Sequence, residues 1–102
     1  MKIFLDDVRN APEGFTRVYD PFSCILLLEE NKGNVEILSL DHDLGLFFGK
    51  EKEYTGYDVL LWLERNPQYM PKSICIHSAN PVARKKMFQT IESIERRLEA
   101  LV

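Results

Sequence analysis

The sequence predicts one α/β domain built on a short, mostly parallel sheet of about four strands with helices on its faces. Three observations carry this. Apolar runs with β character at 3–5, 35–40 and 73–77 alternate with helical patterns that begin at 20, 55 and 80. Strand–helix alternation of that kind implies parallel pairing. Each apolar run also stops at polar, reactive side chains: Asp6-Asp7, Asp41-His42-Asp43 and His77-Ser78-Ala79-Asn80. The length of 102 residues fits a single domain, 1–102, with one real core and little spare stability.

Taken in order, Ile3-Phe4-Leu5 is a strand closed by two aspartates, and Asn10 to Gly14 is a turn-rich connection. Thr16-Arg17-Val18-Tyr19 alternates weakly and reads as an edge-like strand. The segment 8–15 before it is short for a parallel crossover, which leaves the direction of that strand open. Asp20-Pro21 starts a helix, with aspartate as N-cap and proline at the first helical position. That helix runs through Phe22, Ile25, Leu26 and Leu28 towards Gly33, which suits a C-cap. Val35 to Leu40 is almost continuously apolar, as for a central strand covered on both faces. Leu46 to Tyr54, with Gly49 and mixed charge, reads as a mobile loop. Thr55-Gly56-Tyr57-Asp58 fits a capping box, and Asn66-Pro67 ends the helix it opens. After the strand Ser73 to His77, Asn80-Pro81 repeats the cap-plus-proline start. Met87, Ile91, Ile94, Leu98 and Leu101 then form an apolar stripe at helical spacing.

Composition narrows the partners. Hydrophobic content of 45% and charged content of 28% are ordinary for a globular domain. A formal net charge of -3 argues against extended duplex nucleic acid held by a general positive field. A small cyclic nucleotide or an RNA end needs only a local basic patch. The opening Met1 to Asp7 is too short and too soon acidic for a signal peptide, and no apolar run approaches the roughly 18 residues of a membrane span. The expectation is a cytoplasmic protein with no membrane partner; the pattern specifies no oligomeric state. Cys24 and Cys75 lack the paired spacing of a zinc site and read as reduced, buried core thiols.

Ligands of open parallel sheets bind beyond the carboxyl ends of the strands, where the polar clusters fall. Among Asp6, Asp7, Asp41 and Asp43, like charges about 4 Å apart would repel by roughly 1–4 kcal/mol. Such a group needs a cation, a shared proton or an arginine. Oxygen donors favour Mg²⁺ or another hard divalent cation, completed by a substrate phosphate. Any one of these acids alone is as well explained as a helix cap. His42 and His77 are the only histidines, both at the same edge, and a pair can divide general base and general acid roles. A lone histidine at a strand end is more often structural. Side chains alternate along a strand, so the chain must leave strand geometry near residue 41 for Asp41 and His42 to share a site. Arg84, Lys85 and Lys86 lie early in a helix and oppose its dipole, which makes sense beside a bound anion. Arg9 and Arg84 are the candidate phosphate-binding cations, with Ser78 as a further donor and Asn80 chiefly a cap. The bland alternative for this group is a solvated basic face.

These motifs resemble receiver domains: an acidic pair after the first strand (Asp6-Asp7), an aspartate after a central strand (Asp41), and Ser78-Ala79 after a later one. The closer resemblance is to the cyclic-phosphate processing receiver domain. It rests on Leu5-Asp6-Asp7-Val8-Arg9 with Pro12, Ser39-Leu40-Asp41-His42-Asp43-Leu44-Gly45, Thr55-Gly56-Tyr57-Asp58, and His77-Ser78-Ala79-Asn80-Pro81 with Arg84 and Met87. The resemblance implies a truncated receiver, or flavodoxin-like, fold: a three-layer α/β/α sandwich. It also implies a role in processing cyclic phosphates, such as 2′,3′-cyclic phosphate on RNA ends or nucleotides. Two departures stand out. The lysine that receivers carry on a fifth strand has no counterpart, and the first helix has shrunk to the loop 8–15. The leading expectation is hydrolysis, with His42, His77 and Asp41 catalytic, Arg9, Ser78, Asn80 and Arg84 on the substrate, and Asp6, Asp7, Asp41 and Asp43 around a metal. The alternatives are a non-catalytic module that binds a nucleotide, a metal or a protein, and a metal-dependent phosphomonoesterase that uses Asp41.

Overall fold

The computed structural model describes residues 1–42, 46–48 and 52–100. Asp43, Leu44, Gly45, Gly49 and Leu101, all singled out above, lie outside the described residues. The elements in order are β1 (Lys2–Leu5), β2 (Thr16–Val18), α1 (Pro21–Glu30), β3 (Ile37–Leu40), β4 (Leu46–Phe48), β5 (Lys52–Tyr54), α2 (Gly56–Arg65), β6 (Ser73–Ile76) and α3 (Pro81–Ala100). A short 3₁₀ turn, Pro67–Tyr69, follows α2.

Four strands form one sheet in the order β2-β1-β3-β6, and each neighbouring pair is parallel. That settles the direction of β2. The crossover that reaches it, without a helix, is held by its own polar groups. The Asp6 carboxylate accepts from the backbone N–H groups of Val8 and Arg9, and Arg17 Nε donates to the Asp6 carbonyl. Gly14, at φ 86°, takes the third position of the turn closed by Phe15 N–H on Pro12 O, a place that requires positive φ.

The two faces of the sheet differ. Ile3, Leu5, Val18, Leu38, Leu40 and Ile76 share one face by strand alternation, and all are buried in the core. Cys24 and Leu28 of α1, Val59, Leu60 and Leu63 of α2, and Met87, Ile91 and Ile94 of α3 belong to the same cluster. Fully burying one such side chain contributes on the order of 1.5–3 kcal/mol. The placement follows from handedness: β2 to β3 and β3 to β6 step across the sheet in the same direction, so right-handed crossovers put α1 and α2 on one side. The step from β1 to β2 runs the other way, so its connection lies on the opposite face, where Phe15 packs edge-on against Phe4 at 6.2 Å. The outer layer on that side is thus reduced to a loop. One reading changes here. Cys75 sits on this face and is exposed, whereas Cys24 is buried.

The mobile loop expected over 46–54 is also corrected: β4 and β5 pair antiparallel, with Leu46 opposite Tyr54 and Phe48 opposite Lys52. Among the described residues, no helix is long and apolar enough to cross a membrane.

Candidate functional site

Register builds the site. Leu5, Leu40 and Ile76 stand side by side on β1, β3 and β6 with their side chains in the core. The next residue on each strand is therefore aimed at the opposite face, and these residues are Asp6, Asp41 and His77. The ladder continues through them: Asp6 N–H donates to Val18 O, Asp41 N–H to Leu5 O and His77 N–H to Leu40 O, at 3.0–3.1 Å. One carboxylate oxygen from each aspartate and one ring nitrogen of His77 lie within 4.8 Å of one another. Strand geometry ends at Leu40, which frees the chain to turn at Asp41 and His42.

Asp6 is fully buried and fully engaged. Its Oδ1 accepts from Val8 and Arg9 N–H, each at 2.8 Å, and its Oδ2 lies 3.1 Å from His77 Nε2 and 4.0 Å from Arg9 Nε. Burial by itself raises this carboxyl, but the backbone N–H groups of Arg9 and Val8 and the adjacent imidazole outweigh it and hold Asp6 below the usual range. Asp41 goes the other way. Partial burial and the neighbouring Asp6 charge raise it, against weaker help from the His42 N–H at 2.8 Å and the His77 and Arg9 charges. Two adjacent carboxylates are thereby driven apart, the pattern by which one fold keeps one acid ionised and readies the other for proton transfer.

His77 is held at every side. Its ring stacks on Phe4 at 4.3 Å and 5°, Nδ1 lies 2.7 Å from Ser39 Oγ, and Nε2 faces Asp6. Ser39 is a partner the sequence reading did not assign; its signal was a lone hydroxyl in the run Ile37-Leu38-Ser39-Leu40, in the same strand parity as Asp41. Arg9 closes the end of β6, with Nη1 donating to His77 O at 2.7 Å.

The remaining candidates fall as follows. His42 joins through its backbone, donating to Asp41 Oδ1 and accepting from Gly56 N–H at 3.2 Å. A Cβ on Gly56 would overlap the Asp41 carbonyl, so glycine here lets α2 start against the site. Thr55 and Asp58 form the expected capping box. Ser78 is buried and accepts from Asn80 N–H, while Asn80 Oδ1 accepts from Ala83 N–H and caps α3. Arg84 carries its guanidinium 6.0 Å from the ring of Phe88, one turn along its own helix, and Lys86 lies 4.3 Å over Tyr57. Asp7 is half-buried and outside the group formed by Asp6, Asp41 and His77. That group offers two oxygens and one imidazole nitrogen, a mixed donor set rather than an all-oxygen one.

A family described as the cyclic-phosphate processing receiver domain matches residues 1–93. No curated protein and no solved structure matches. A match over nine-tenths of the chain, covering all three strand ends that build the Asp6, Asp41 and His77 cluster, makes the chain a member of the cyclic-phosphate processing receiver domain family.

Proposed function

We propose that the chain hydrolyses cyclic phosphates, such as a 2′,3′-cyclic phosphate on an RNA end or a nucleotide, at the strand-end site of Asp6, Asp41 and His77. The observation that supports this reading is the divergence of the two carboxylates: Asp6 held ionised, Asp41 pushed towards taking up a proton. Asp41 accepts a proton from the attacking water, whose oxygen bonds to phosphorus as one ribose P–O bond breaks. The departing ribose oxygen takes a proton from the imidazolium of His42, the residue after Asp41. His77, with Ser39 and Asp6 on its two nitrogens, positions the Asp6 carboxylate. Arg9 neutralises the phosphoryl oxygens, with Ser78, Asn80 and Arg84 flanking the entry from α3. Mg²⁺ or a similar divalent ion would be held by Asp6 and Asp41, with His77 completing the donors, and would add positive charge beside the phosphate.

The test is incubation with a nucleoside 2′,3′-cyclic monophosphate, with Mg²⁺ or with EDTA, and detection of the opened monophosphate. Asp41→Asn and His42→Ala should each lower kcat by about 10²–10⁴-fold. Wild-type protein that turns over nothing in either condition, or turnover unchanged in both His42→Ala and His77→Ala, ends the proposal. A second reading draws on the same Asp6–Asp41 pair, which the chain shares in pattern with ordinary receivers: a binding or signalling module in which Asp41 takes a phosphoryl group. It predicts labelling of Asp41 by acetyl phosphate with no product. A phosphomonoesterase that uses Asp41 as nucleophile would instead show that acyl-phosphate turning over on simple monoesters.

A further inference from the structure

Resting on the phosphate-site reading above, we infer that the Ser39 hydroxyl is the adaptable partner that lets His77 exchange its Nε2 proton for a divalent cation. Ser39 lies on β3 between Phe4 of β1 and Cys75 of β6, its neighbours in register. An aromatic ring and a thiol offer a hydroxyl no strong hydrogen-bond partner. Ser39 is buried, and its Oγ lies 2.7 Å from His77 Nδ1. The imidazole is fixed against it. The stack on Phe4, at 4.3 Å and 5°, sets the ring plane, and a half-turn of the ring would put carbons against both Ser39 and Asp6.

The tautomer follows from what Asp6 can do. Its Oδ1 accepts from two backbone N–H groups, and its carboxyl is held below the usual range, so Oδ2 is an acceptor for His77 Nε2–H at 3.1 Å. A neutral ring with its proton on Nε2 carries a lone pair on Nδ1, and the Ser39 O–H donates into it. In this state His77 cannot ligate a cation beside Asp6, because the nitrogen there bears a proton. The other tautomer can. With the proton on Nδ1, Nδ1–H donates to Ser39 Oγ and the bare Nε2 becomes a donor alongside the carboxylates. Asp6, Asp41 and His77 place one such donor atom each within 4.8 Å of one another. The ring holds one proton in both states: Nε2 releases one to solvent as Nδ1 takes one up. A hydroxyl satisfies both states because it donates or accepts, whereas a carbonyl or an amide N–H would lock one of them. A metal-bound imidazole needs a partner on its other nitrogen, and Ser39 is placed to be that partner.

The experiment reads the imidazole nitrogen signals of the isotope-labelled full chain by NMR, with Zn²⁺ as the probe because imidazole suits it. The parent protein carries Cys75→Ser, which removes an exposed thiol as a rival zinc ligand. The chain has two histidines, so His42→Ala identifies the signals of His77. In EDTA at about pH 8.5, some two units above an ordinary imidazole, the proton is expected on Nε2, and with saturating Zn²⁺ on Nδ1. By calorimetry, Ser39→Ala should bind Zn²⁺ about 10–100-fold more weakly, while Ser39→Thr, which keeps the hydroxyl, should stay within about three-fold of the parent. A proton on Nδ1 in EDTA, alone or together with Nε2, overturns the inference. So does an absence of zinc binding, a tautomer that Zn²⁺ leaves unchanged, an undiminished affinity in Ser39→Ala, or an equal loss in Ser39→Ala and Ser39→Thr. None of these readouts needs turnover. The expected tautomer exchange in a protein that opens no cyclic phosphate would leave the role of Ser39 standing while hydrolysis falls. Ring opening by a protein whose His77 carries its proton on Nδ1 in EDTA would leave hydrolysis standing while the role of Ser39 falls.

Discussion

The carboxylate of Asp6 has no contact with solvent, and its charge is kept by donors rather than by water. Two backbone N–H groups and an imidazole meet its two oxygens. Because its folded-state value is below the ordinary 3.8, Asp6 contributes stability that is present above pH 3.8 and lost as pH falls through the lowered value. Asp6→Asn should therefore destabilise the protein at pH 7 by roughly 1.5–3 kcal/mol, the worth of hydrogen bonds to a charged group, as read by urea unfolding. An unchanged midpoint would mean the charge is not used. Asp41 carries the opposite sign. Its folded value is raised, so its contribution is complete below pH 3.8 and disappears as pH rises through the raised value. Ionised Asp41 is then a cost at neutral pH, and in EDTA Asp41→Asn should raise the melting temperature at pH 7 and leave it almost unchanged near pH 3. A lower melting temperature at pH 7 contradicts this. Both aspartates were legible in the sequence as acids at strand ends; their opposite environments were not, because those come from Val8, Arg9, His42 and His77 brought in by the fold.

Elements differ in how local their causes are, and that decides which could be read from the sequence. Asp20, Thr55 and Asn80 each cap a helix through a side-chain oxygen within three residues, and all three starts were legible. The direction of β2 was not, because it depends on Asp6 and Arg17 fastening a helix-free crossover. Nor was the β4–β5 pair, where Gly49 and mixed charge pointed to a loop. Gly56 shows an element and the site acting on each other. In an isolated helix, alanine is better than glycine by about 1 kcal/mol. Here the new methyl would strike the Asp41 carbonyl, against which α2 is packed. Gly56→Ala should thus cost about 1–3 kcal/mol, as for other overpacking, and lower turnover at least ten-fold by displacing Asp41 and His42. Thermal unfolding and the cyclic-phosphate assay check both; a stabilised, fully active variant would show that α2 and the site are not in contact.

At the scale of the whole molecule, the asymmetry of the sheet matters most. Among the described residues, three helices bury one face and the loop 6–15 shields only part of the other, so the same strands carry both a core and a reactive surface. A nearly unbroken apolar run such as Val35 to Leu40 suggests two covered faces, and Cys75 in Ser73-Ile74-Cys75-Ile76 suggested burial for the same reason. Which face a residue takes is fixed by parity, and which face the helices take is fixed by the direction of each crossover; neither is visible in one strand alone. The two cysteines test this directly, because they fall on opposite sides of the sheet. Cys24 has no exposure, and burial, followed by the Asp20 charge, pushes its thiol up to about 12. Cys75 is exposed on the helix-free face. Thiolate is the reactive form, so an aromatic disulfide reagent at pH 8 should titrate one thiol of the native protein quickly and the second only once denaturant opens the core. Cys75→Ser should abolish the fast reaction and leave the slow one. Two thiols reacting at similar rates in the native protein, or a fast reaction that survives Cys75→Ser, would mean that helices cover the face on which His77, Ser39 and Phe4 are arranged, and the open route to the site would be lost with it.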